Sequence, residues 1–153
     1  MKTILKRIKS TLDCTTLSYI KKFEFCAPRL LPDVPTTLIP YIGIAPISST
    51  ESWVAQKKQS IDTVELYCVT YLQKVESSII GDSVKKGLLE VVEDVKSVIR
   101  GHRLPNESSI NYLSKPIEIT GTDYSVAGYG GDSYLFVSSI VLQCVRLFSI
   151  TLP

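Results

Sequence analysis

The chain has 153 residues, 44% of them hydrophobic and 21% charged, with a formal net charge of +2. That length fits one domain, able to bury roughly 68–70% of its unfolded surface without disulfides or metals. A charge so near zero gives no argument for nucleic-acid binding, and the scattered Cys14, Cys26, Cys68 and Cys144, with no C-x-x-C pair, read as free thiols rather than a zinc site or disulfide framework.

Ile4, Leu5, Ile8 and Leu12 recur at helical spacing while Lys2, Lys6 and Lys9 share another face, which predicts a basic amphipathic helix. Its cationic side is either a solvated face or a contact for an anionic surface. Lys6, Arg7 and Lys9 interrupt any secretory apolar core, and the acid-poor start leaves a transit peptide open; a cytoplasmic protein is the expectation. The helix runs unevenly toward Ile20 and ends before Pro28, Pro32 and Pro35.

Leu38–Ser49 alternates Tyr41, Gly43 and Ala45 against Ile42, Ile44 and Pro46, the pattern of a short strand. Pro40 and Pro46 at its ends imply a sheet edge, where a missing N–H does little harm. The polar Ser49–Ser60 then forms a long connection or hairpin tip, on which Trp53 either packs back on the core or waits for a partner. Ile61–Leu72 is a clear strand: Val64, Leu66, Cys68 and Leu72 face one way, and Thr63, Glu65, Tyr67, Val69 and Tyr71 the other. That second, aromatic face is suited to meet another element or another subunit.

After "IIGDS", with Asp82 or Ser83 as the N-cap, Val84, Leu88, Val91, Val92, Val95, Val98 and Ile99 form one apolar stripe, stopped by Arg100 and Gly101. This one-sided helix should lie across a sheet. Lys115–Gly121 is a short strand leading into "DYSVAGYGGDSYLF". Finally Ser133–Leu152 is apolar on both faces: Tyr134, Phe136, Ile140, Leu142, Phe148 and Ile150 on one, Leu135, Val137, Val141, Val145 and Leu147 on the other. Such a strand is normally central and covered on both sides, and in a domain with few helices another protein is a candidate for the second cover. Because this run is rich in β-branched residues and holds Gln143 and Arg146, it reads as a strand, not a membrane-spanning helix.

Candidate chemistry is sparse. Gly128, Gly130 and Gly131 are followed by a strand instead of a helix, and no G-K-[ST] accompanies them, so the stretch reads as a bend and not a phosphate cradle. His102 is the sole histidine and follows a helix stop, without a G-x-S-x-G elbow. Glu90, Glu93 and Asp94 read as a solvated helix face ahead of a metal site, and the sequon at Asn106–Ser108 carries no weight in a cytoplasmic protein. No enzyme, cofactor or specific nucleic-acid binding is expected.

The order of elements, with the stretches "IPYIGIAPISSTES", "IDTVELYCVTYL", "GLLEVVEDVKSVIRGHRLP" and "YGGDSYLFVSSIVLQCVRLF", resembles the tail terminator (tail completion) proteins of long-tailed bacteriophages across about Leu38 to Phe148. The resemblance implies a single small α+β domain, a mostly antiparallel sheet flanked by the N-terminal helix and the central amphipathic helix. It also implies a homo-oligomeric, hexameric ring in the virion neck, assembled in the host cytoplasm. That ring caps the head-proximal end of a tail tube, ends its polymerisation and meets the head connector. Candidate interface residues are Trp53, Tyr67, Tyr71, Tyr124, Tyr129, Asp132 and Arg146, the last paired across a subunit boundary or lying at the sheet edge. The proline-rich Cys26–Pro40 is longer than the family leads one to expect, which keeps another neck or head–tail joining protein as the alternative, ahead of a nucleotide-binding enzyme using the Gly128–Gly131 loop.

Overall fold

The computed structural model describes residues 1–28, 34–72, 75–82, 85–105, 112–128 and 134–149. Its strands are β1 (Lys22–Phe25), β2 (Tyr41–Val54), β3 (Lys57–Leu72), β4 (Glu118–Gly128) and β5 (Tyr134–Ser149); its helices are α1 (Lys2–Leu12), α2 (Val75–Ile80) and α3 (Leu88–Ile99). The strands form one sheet in the order β1-β2-β3-β5-β4, parallel only between β1 and β2. This is the small, mostly antiparallel α+β fold expected.

The main core lies on one face of the sheet. Ile4, Ile8 and Leu12 from α1 and Leu88, Val91, Val92, Val95 and Ile99 from α3 pack with Ile42, Ile44, Val64, Leu66, Cys68, Ile140, Leu142 and Cys144. Each helix buries a stripe spaced three or four residues apart, and each strand contributes alternate residues, so the two periodicities meet along one apolar seam. Gly101 stops α3 in the left-handed region at φ 78°, the stop its sequence predicted.

The start of α3 differs from expectation. Asp82 accepts the Lys85 N–H at 2.8 Å, so it caps the turn before the helix and not the helix itself. Gly87 is the N-cap, and the Glu90 carboxylate reaches back to accept its N–H at 3.1 Å. No side chain fits at Gly87, because a Cβ there would stand 2.3 Å from the Gly81 nitrogen and 2.5 Å from the Ile79 carbonyl oxygen. Ser83 and Val84 lie outside the described residues, as do Pro32, Asn106–Ser108, Gly130, Gly131 and Ile150.

Two further expectations are corrected, and two left open are decided. The N-terminal helix ends at Leu12, and β1, too short and mixed to signal itself, follows a 3-10 turn at Thr15–Leu17. β2 is not an edge over its first residues, since β1 pairs with Tyr41–Ile44; among the described residues its outer side has no neighbour from Ala45 onward. The long polar tip is two strands and a two-residue turn, with Ala55 at φ 46° and Gln56 at φ 64°, the pair of positive φ angles that suits the twist of a tight hairpin. The second sheet face, which could meet either another element or another protein, is covered over its middle by this chain: Val34, Leu38 and Ile39 pack on Tyr41, Ala45, Tyr67, Val69, Leu135 and Val137.

Candidate functional site

Where the helices end, the main face of the sheet turns polar. Asp62 on β3 lies fully buried directly opposite Cys144 on β5. Arg146 approaches it from β5, with Nη2 donating to Oδ2 at 2.8 Å and Nε at 3.2 Å. The Arg146 Nη1 donates to the Tyr112 hydroxyl at 2.9 Å, and Nη2 also to Ser60 Oγ at 3.3 Å. Ser49 Oγ donates to Asp62 Oδ1 at 2.7 Å, and the Met1 ammonium lies 3.6 Å from the same oxygen.

Burial alone would raise the Asp62 carboxyl. The hydrogen bonds from Ser49 and Arg146, with the positive charges of Arg146 and the N-terminus, more than offset that and hold it below the usual carboxylate range. A carboxylate so fully supplied with donors is a structural clamp between β2, β3 and β5. Arg146 is therefore paired within its own chain, on a strand flanked by β3 and β4, where the expectation was a partner across a subunit boundary or a position near the sheet edge.

The other predicted interface residues separate into three groups. Tyr67 is buried and Tyr71 half-buried, both against the second core, so neither offers a free surface. Trp53 stands 65% exposed near the hairpin tip and does not pack back on the core. It faces Lys58, which in turn faces Phe148, so these three cross the sheet on one face. Tyr124 is exposed at the opposite edge of the sheet, beside the exposed Val126 and Tyr134. Tyr129 and Asp132 lie outside the described residues.

Sequence reasoning missed Asp62, Ser60 and Tyr112, as well as Phe148 and Val126 as surface residues. A signal for the clamp existed: alternation places Asp62 on the same face as Val64, Leu66 and Cys68, and Arg146 on the face of Ile140, Leu142 and Cys144. Two opposite charges on core-directed faces predict each other, because an unpaired buried charge is too costly to keep.

The four thiols are free. Burial pushes Cys68 and Cys144 up to about 12, and burial with the charges of Glu65 and Glu24 pushes Cys26 to about 11, so these are unreactive packing groups. His102 joins α3 to the following loop through its backbone, donating to the Ile99 carbonyl and accepting from the Ile117 N–H. On α3, Glu93 pairs with Lys96, and Asp94 with Lys86 and the Tyr19 hydroxyl. Among the described residues, no group of three or more His, Cys, Asp or Glu side chains is placed to hold a metal ion, and no helix is long and apolar enough to cross a membrane. No family model matches the chain, and no curated protein matches it.

Proposed function

We propose that this chain is a structural, ring-forming subunit of a phage tail: a terminator that caps the head-proximal end of the tail tube, stops its growth and presents its other surface to the head connector. The observation that carries the reading is the placement of apolar and aromatic side chains outside both cores, at opposite sides of one sheet. Trp53, Val54 and Phe148 lie at one end of the long hairpin, and Tyr124, Val126 and Tyr134 at the far edge. A ring needs two different patches on each subunit, and a rigid sheet with contact surface at both sides supplies them. The order of elements, a basic helix, a long hairpin, a glycine-stopped helix and a final strand pair, supports the same reading.

The test is to add the purified chain to growing tail tubes and measure their lengths by electron microscopy. Tubes that stop lengthening and carry a ring at one end are the expected result; tubes that grow as before overturn it. A second reading, another neck or head–tail joining component of the same fold, is favoured by the proline-rich segment, which folds over the second sheet face through Val34 and Ile39. It predicts tubes of unchanged length whose finished tails fail to attach to heads when the chain is missing.

A further inference from the structure

Three stretches of this sheet have one open side: the four-residue β1, which carries Lys22, and two longer ones. Among the described residues, β2 has a neighbour on its outer side only at Tyr41–Ile44, where β1 lies, and β4 has none on its outer side along Glu118–Gly128. Open edges are a hazard that soluble proteins blunt with lysine, with proline or by covering them. Lysine and proline are missing from both: β4 holds neither, and β2 beyond Pro46 holds neither, although each strand carries one irregularity, at Ile119/Gly121 and at Pro46/Ser48. Instead both edges carry exposed apolar residues, Trp53 and Val54 on β2 and Tyr124 and Val126 on β4.

Their charges are complementary. Glu118 and Asp123 on β4 are exposed and form no ion pair among the described residues, and they share one face of the sheet, opposite Gln143 and Ser139. Lys57, beside the hairpin turn and opposite Val54, is likewise exposed and in no ion pair. The acids on β4 argue against pairing β4 with its own copy about a two-fold axis, which would bring like charges together; on the β2 side, Lys57 lies one strand in from the edge, on the same sheet face as those acids.

We propose that the β4 edge of one copy of this chain pairs with the outer arm of β2, Ser48–Val54, in the next copy, so that adjacent subunits continue one another's sheet. This rests on the ring-forming reading above and names its interface. The contact is head-to-tail: each subunit gives one edge and receives the other, and main-chain hydrogen bonds hold the junction while the aromatic and charged side chains fix its register.

The experiment compares two surface variants by native mass spectrometry. Tyr124→Glu/Val126→Glu spoils β4, and Trp53→Glu/Val54→Glu spoils the arm; all four positions are exposed, and cooperative thermal unfolding confirms that both variants fold. The wild-type chain should associate, each variant alone should be monomeric, and an equal mixture should form a one-to-one dimer that grows no further. A wild-type monomer, a β4 variant that keeps the wild-type mass, an arm variant that still dimerises through β4, or a mixture that stays monomeric overturns the pairing. Wild-type assemblies that behave as expected in all of these but ignore tail-tube ends overturn the tail reading and leave the pairing standing.

Discussion

The inner and outer halves of the β2–β3 hairpin share one ladder but differ in everything beneath it. Inside, Tyr41 through Ala45 are buried, with Val64, Leu66 and Cys68 under the helices and Tyr67 and Val69 under the proline-rich cover. Outside, Ser49 through Val54 are exposed, and the ladder simply continues, Thr50 opposite Ile61 and Val54 opposite Lys57, with one surface ion pair between Glu51 and Lys58. The Asp62–Arg146 clamp stands at the boundary. Once an inner segment fixes register, hydrogen bonding carries the strands past the core that specified them, and the extension is left free to serve a contact.

Four substitutions or conditions test that division. The largest effect belongs at the boundary: Arg146→Ala leaves the buried Asp62 carboxylate without its main partner and should lower stability by about 3–5 kcal/mol in urea unfolding. Leu66→Ala, which empties a fully buried inner site, should cost about 2–5 kcal/mol by the same measurement. Acid should act through the clamp. The Asp62 carboxyl is lower in the folded state than in the unfolded chain, so its contribution is intact above about pH 4 and is lost as pH falls through the folded value. Thermal unfolding followed from neutral to acid pH should show this loss, and Asp62→Asn should flatten it. The smallest effect belongs to the outer half: Trp53→Ala should change stability by no more than about 0.5 kcal/mol, although Trp53 is the largest side chain there. A core-sized loss at Trp53 would erase the division between the halves.

What was legible follows from the same division. α1, α3, the two faces of β3 and the length of β5 were readable because burial imposes a period on the residues, as in Ile4, Ile8 and Leu12 or Val64, Leu66 and Cys68. The outer part of β2 was not, because "STESWV" has no buried face and so no alternation to read. β1 has four residues and pairs in parallel with a strand it reaches only after the proline-rich segment. The second cover was hidden because Val34, Leu38 and Ile39 sit among prolines with no regular spacing. Of the candidate surface, Trp53 and Tyr124 were found as aromatics outside any core pattern. Tyr67 was misjudged because its covering segment could not be foreseen, and Arg146 because its partner Asp62 had been left unremarked.

One feature of the strand order bears on timing. Among the described residues, β4 joins the sheet through β5, and β5 joins by reaching back to β3, with Lys57 facing Ser149 and Leu72 facing Tyr134 across long stretches of chain. Contacts between residues so distant in sequence form late, after the loop between them has been closed. The β2–β3 hairpin is local and can be in place early, whereas the β4 edge has no structure to belong to until β5 has docked. If the proposed junction forms, a newly made subunit would hold its arm before its β4 edge, and only a completely folded one could offer both.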